Sequence, residues 1–142
     1  MSVYFFDEYS GFKLKKKRAI KDWIKKVISV YDKQTGNINI VFSSDEEVIE
    51  INRQYLNHDY FTDIITFNYN DNDIIHGDIF ISIDTVRVNA EMYQVSFENE
   101  LCRVIIHGVL HLLGFDDNNE TLKAMMRDKE DKALEVLKAE FI

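Results

Sequence analysis

A single mixed α+β domain spanning residues 1–142 is the fold this sequence predicts, and three observations predict it. Apolar, β-branched runs of strand length gather in the first two-thirds of the chain; five longer segments carry helical spacing; and one of those, around His107 and His111, is apolar on nearly every face. A helix of that kind has to be covered by other elements, so about four strands in a mixed sheet and about five helices, one of them buried, form the simplest arrangement. A chain of 142 residues buries roughly two-thirds of its unfolded surface, enough for a core without covalent staples.

The first element, Val3 to Phe6, is a short apolar and aromatic run suited to a strand. Leu14, Ile20, Trp23, Ile24, Val27, Ile28 and Tyr31 then recur at helical spacing with lysines opposite, which predicts an amphipathic helix over 14–32, with Gly36 closing the turn after it. Asn37 to Phe42 alternates and then turns apolar, as a strand entering a sheet does. Ser44 followed by Glu47 resembles a capping box, and Val48, Ile51, Tyr55 and Leu56 supply the buried stripe of the helix it starts. After a polar and aromatic break over 57–63, Ile64 to Tyr69 and His76 to Ile83 read as strands on either side of the Asn70–Asp73 turn, with Ile64 to Tyr69 and Ile79 to Ile83 paired as a hairpin. Ser82 or Asp84 caps a helix through Val86, Val88, Ala90 and Tyr93, and Ser96 caps the next, which runs into the histidines. Asn118 or Asn119 starts the last helix, with Leu122, Met125, Met126, Ala133, Leu134 and Leu137 inward.

Charge and cysteine content narrow the function. The net charge of −8 argues against a protein that coats nucleic acid, yet nine of the seventeen basic residues lie in residues 1–33 against four acids, a local +5. Lys16 and Lys17 in that strip are candidate contacts to a polyanion. Cys102 is the only cysteine and falls inside the apolar helix, so an internal disulfide and a multi-cysteine metal site are both excluded and a reducing compartment is expected. Neither a secretory signal nor a membrane-length apolar run is present, which predicts a soluble, cytoplasmic protein with no membrane partner.

The chemistry concentrates in His107-Gly-Val-Leu-His-Leu-Leu-Gly-Phe-Asp-Asp117. On a helix, His107 and His111 project one turn apart from one face, the spacing of a metal chelate and equally that of a hydrogen-bonded structural pair. Gly114 offers the left-handed residue that ends a helix, and Asp116 and Asp117 return toward the imidazoles. In the H-E-x-x-H metalloprotease pattern a glutamate base follows the first histidine; Gly108 stands there instead, which excludes that class and leaves room for a close approach.

This segment resembles the H-G-x-L-H-L-x-G-[FY]-D-H signature of the YbeY family, metal-dependent bacterial endoribonucleases of ribosomal RNA maturation. Asn52 with Tyr55, Thr62-Asp-Ile-Ile-Thr-Phe67, Gly77-Asp-Ile-Phe-Ile-Ser82, Glu100-Leu101 and Met126 extend the resemblance over roughly residues 40–135. It implies a four-stranded mixed sheet and one divalent ion, zinc first, held by the residues at 107, 111 and 117. Three departures stand out. The third ligand is Asp117 where the family has histidine, an acceptable zinc ligand that tilts preference toward harder ions, with Asp116 as the alternative carboxylate. Leu56 replaces an arginine suited to phosphate, which leaves Arg53, one turn earlier, as the candidate substitute. Phe61 and Asn68 stand where the family has prolines.

The implied activity is cleavage of single-stranded RNA, with ribosomal RNA and a ribosomal subunit as partners. The nucleophile would be activated on the ion, with Thr62 and Asp63 as candidate cleft residues and the general base unassigned. A ribosome assembly factor with a structural ion and a metallohydrolase of a small substrate are the alternatives. His58 and His76 read as loop histidines and the Met125-Met126 step as core packing.

Overall fold

The computed structural model describes residues 2–9, 11–56 and 62–142. Strand β1 (Val3–Asp7) is followed by helix α1 (Lys17–Val30), β2 (Gln34–Ser43), α2 (Asp45–Leu56), β3 (Ile64–Asn68) and β4 (Ile74–Ser82). Three helices complete the chain, α3 (Ile83–Tyr93), α4 (Phe97–Leu112) and α5 (Glu120–Val136), the last continuing into a short π-helical turn, Leu137–Phe141. The four strands form one mixed sheet in the order β1-β2-β4-β3. β1 and β4 run parallel to β2, while β3 pairs antiparallel with β4, Ile65 opposite Phe80, as the predicted hairpin requires.

The two parallel strands at the centre read Ile38, Ile40 and Phe42 on β2 and Ile75, Ile79 and Ile81 on β4, all buried, and α4 lies over them. Val104, Ile105, Ile106, Val109, Leu110 and Leu112 are each at most 3% exposed, so the apolar perimeter of α4 is covered as its composition demands. Gly108 and Gly77 allow α4 to sit this close. A Cβ on Gly108 would lie 2.7 Å from Ile64 Cδ1, and one on Gly77 2.7 Å from the Phe67 carbonyl oxygen and 2.6 Å from Leu112 Cδ2. Trp23 on α1 is fully buried and donates its indole N–H to the Ala133 carbonyl at 2.8 Å, joining α1 to α5.

Local signals place most boundaries. Ser82, Ser96 and Asn119 each accept an N–H from three residues on, as N-caps of α3, α4 and α5. Ser44 accepts from Glu47 N–H at 3.2 Å. Asp45 binds the Ser82 and Thr85 hydroxyls, and Asp84 accepts from Asp45 N–H and from the Tyr9 hydroxyl, so the ends of two neighbouring parallel strands are tied together.

Several expectations are corrected. Gly36 does not close a turn: it lies within β2, where the His76 ring packs against its bare α-carbon. His76 accordingly sits on β4, not in a loop, and accepts the Asn37 N–H at 2.9 Å. The buried stripe of α2 is Val48, Ile49 and Asn52; Ile51 is only half-buried, Leu56 is exposed, and Tyr55 is exposed although its ring packs edge-on against Phe67 of β3 at 5.9 Å. Met126 is core, but the adjacent Met125 is 50% exposed, since neighbours on a helix diverge by about 100°. Helix α1 begins at Lys17, so Leu14 is buried from the preceding loop.

Candidate metal centre

The centre is built by the end of α4 and the loop that follows it. Gly114 adopts a positive φ of 101°, its N–H donating to the His111 carbonyl at 2.9 Å, while Phe115 N–H reaches back to the Leu110 carbonyl at 3.1 Å. This double closure is a Schellman motif, and it reverses the chain sharply enough to bring Asp117 over the helix it has just left. Asn68 and Asn70 from the hairpin donate their side-chain amides to the Leu112 carbonyl at 3.2 and 2.7 Å, which secures the same helix end. Asn68 therefore replaces the rigidity of a proline with a hydrogen bond across 44 residues.

Three potential ligand atoms converge. His107 Nε2 and His111 Nε2 are 3.0 Å apart, and Asp117 Oδ2 lies 3.3 Å from the first and 3.5 Å from the second. Donors about 2.0–2.1 Å from a tetrahedral zinc stand about 3.3–3.4 Å from one another, so this triangle fits an ion without rearrangement. Among the described residues the converging ligand atoms are those of His107, His111 and Asp117; Asp116 is exposed and not among them. The side chains at 107, 111 and 117 retain 21%, 22% and 37% of their exposure, so the triangle opens to one side.

Glu130 is the partner that reading from sequence missed. It is 5% exposed, on the buried face of α5, and accepts the His107 Nδ1–H at 2.6 Å, which leaves Nε2 for a ligand role. Arg103, one turn before His107, compensates the buried carboxylate at 2.9 Å and also binds Asp131 at 2.7 Å. The signal was present: Met126, Glu130, Ala133, Leu134 and Leu137 share one stripe, and a glutamate in an apolar stripe requires a partner.

The electrostatics follow from these contacts. Burial alone would push the His107 imidazole down, but the hydrogen bond and charge of Glu130, with Asp117 and Asp63, carry it above the ordinary histidine value. Burial and the neighbouring His107 charge hold His111 below that value. Asp63 and Glu100 share a cleft of about 340 Å³ with His107, Asp117 and Glu130, and burial pushes both of those carboxyls up. Burial also raises the Cys102 thiol to about 11, too high for it to act as a thiolate near neutral pH.

The remaining candidates divide. Asp63 lines the cleft, its backbone carbonyl accepting from Ser82 N–H at 2.9 Å; Thr62, beside it, hydrogen-bonds the Ile64 carbonyl at 3.3 Å. Arg53 is exposed on α2, 3.8 Å from Glu50, and does not line the cleft. Lys17 pairs with Asp7 at 3.6 Å, and Lys16 lines a second cavity against Phe97, Glu98, Leu101 and Cys102 of α4, whose nearest member is about 7.5 Å along the helix from His107. His58 and Phe61 fall outside the described residues.

Comparison with known proteins decides the family. The profile of one family, described as Endoribonuclease YbeY, matches residues 6–138. The chain belongs to the YbeY family. A YbeY relative from Parabacteroides distasonis, named Endoribonuclease YbeY, is 46% identical over 140 residues, covering 99% of both chains. Another of that name, from Bacteroides thetaiotaomicron, is 51% identical over 119 residues, 84% of this chain and 87% of the relative. The solution structure of TM1509 from Thermotoga maritima superposes with a TM-score of 0.70 at 28% identity, covering 97% of this chain and 90% of that one. The four-stranded mixed sheet expected from the YbeY motifs is the sheet observed.

Proposed function

We propose that this protein is a metal-dependent endoribonuclease that cuts single-stranded RNA in the cytoplasm during maturation of ribosomal RNA, with zinc bound by His107, His111 and Asp117. The observation that carries the reading is the 3.0, 3.3 and 3.5 Å triangle of ligand atoms opening onto a cleft, in a chain whose relatives are named endoribonucleases. Structural zinc sites are closed by four protein ligands, whereas catalytic ones keep a position free; three converging ligands with an open side favour the catalytic reading over a purely structural ion.

Bound there, the ion supplies Lewis acidity toward a phosphoryl oxygen and acidifies a water ligand. Glu130 fixes the His107 ring and keeps its Nδ1 proton, so Nε2 presents a lone pair. Arg103 pairs with Glu130 in its buried position. Asp63, raised by burial and facing the same cleft as His107, is placed to take or return a proton during phosphodiester cleavage. An RNA cleavage assay on the wild type and Asp117→Ala tests the proposal. Loss of cleavage with the thermal midpoint unchanged supports a catalytic ion; a wild type that folds around zinc yet cuts no RNA supports the assembly-factor alternative.

A further inference from the structure

The cleft beside the metal centre has walls of unequal character. Its floor is acidic, with Asp63, Glu100 and Glu130, and would repel a phosphodiester unless cations offset it. Of the three cations that line it, Arg103 already binds Glu130 through one guanidinium nitrogen and Asp131 through the other. Lys123 and Arg127 are left, one turn apart on α5, both exposed. Lys123 lies 3.9 Å from Glu120, a loose surface pair, and Arg127, whose charge acts on Glu100 across the cleft, makes no direct ion pair among the described residues. From α3 the cleft is lined by Tyr93, 54% exposed, which offers an aromatic surface to solvent. The volume, about 340 Å³, is near the low end of small-ligand pockets and suits a single nucleotide unit.

We infer that this cleft is the subsite for one nucleotide flanking the cut bond, with the base stacked on Tyr93 of α3 and the phosphate held by Arg127 and Lys123 of α5. Aromatic stacking accepts any base, and a guanidinium grips phosphate through two parallel N–H bonds, so the pairing selects an unpaired strand without selecting sequence. A duplex, whose bases are already stacked on one another, gains nothing from Tyr93. The inference rests on the nuclease reading and supplies the phosphate contact that Leu56 cannot make.

Binding and turnover separate the two claims. A short fluorescein-labelled poly(A) strand is titrated, by anisotropy, into metal-stripped wild type, Arg127→Ala, Tyr93→Ala, Tyr93→Phe and the charge-loss control Lys138→Ala, with kcat and KM then measured on zinc-loaded protein. Tyr93→Ala is expected to weaken binding roughly 5- to 150-fold while Tyr93→Phe retains it. Arg127→Ala should raise KM about ten-fold with kcat nearly unchanged and lessen the salt slope of binding by about 0.7, one phosphate contact on a single strand. Wild-type affinity in both Arg127→Ala and Tyr93→Ala, or an equal loss in Lys138→Ala, overturns the subsite, as does a wild type that binds no strand. Binding that follows the expected pattern without any cleavage contradicts the nuclease reading alone.

Discussion

At the scale of single residues, Asp117 and Glu130 carry the account. Asp117 stands where the resemblance implies a histidine, and its carboxylate oxygen reaches the place where two imidazole nitrogens already converge. Asp117→His is therefore expected to keep one ion per chain and to shift preference from manganese toward zinc, measured by competitive metal titration; loss of binding in that variant would contradict the role assigned to this position. Glu130→Gln removes the charge that orients His107 and should weaken metal affinity about 10- to 100-fold, by the same titration. Unchanged affinity would make Glu130 only a partner of Arg103. Spacing put the two histidines on one face and brought two carboxylates back toward them, but left a metal chelate and a structural pair equally open; the choice of position 117 came from the family resemblance. Glu130 was hidden because it lies 23 residues from His107 in a different helix, and only packing shows which α5 residue faces the centre.

Among the elements, α4 against the β3–β4 hairpin is the contact on which the centre depends. Its two glycines look alike in sequence and differ in what surrounds them. On Gly77 a Cβ would meet the Phe67 backbone oxygen at 2.7 Å, which cannot yield without moving β3, so Gly77→Ala should cost about 1–3 kcal/mol or more in urea unfolding. At Gly108 the nearest obstacle is Ile64 Cδ1 at 2.7 Å, the far end of a half-buried side chain that can turn, with the stiffer Ile79 Cγ2 next at 3.0 Å, and alanine gains up to about 1 kcal/mol of helix propensity over glycine, so Gly108→Ala should cost less than Gly77→Ala. Equal losses in the two variants would show that the helix–hairpin fit has been misjudged. Element identity was readable here because buried and amphipathic periods differ; the exact burial of α2 was not, since Ile51, Tyr55 and Leu56 have helical spacing but the face turned inward is that of Val48, Ile49 and Asn52, with Tyr55 touching the sheet only at its rim through Phe67.

Over the whole molecule, Asp84 ties distant parts of the chain together, accepting from Tyr9 75 residues earlier and from the first N–H of α2. The Tyr9 hydroxyl first, then the Asp45 N–H, hold its carboxyl below the ordinary 3.8. Because the folded value is the lower one, the folded state binds fewer protons; the contribution is complete above 3.8 and is lost as pH falls below that through the folded value. Asp84→Asn should be less stable than wild type at neutral pH, with the gap narrowing in acid below about pH 3.8, followed by urea midpoints; a gap that widens in acid would contradict the assignment. The sheet order was not legible, because pairing of β2 with β4 joins segments about 40 residues apart through contacts no local pattern encodes. Nor was the separation of the basic strip from the metal centre, for charge counts say nothing about which end of α4 the lysines meet. No helix among the described residues is long and apolar enough to cross a membrane. The central claim is that one ion sits on His107, His111 and Asp117, and zinc titration of metal-stripped protein, wild type against His111→Ala, tests it most directly. One zinc per wild-type chain, with RNA cleavage restored in proportion, and none in the variant is the expected result; equal stoichiometry in both, or cleavage by the stripped wild type, rules the site out.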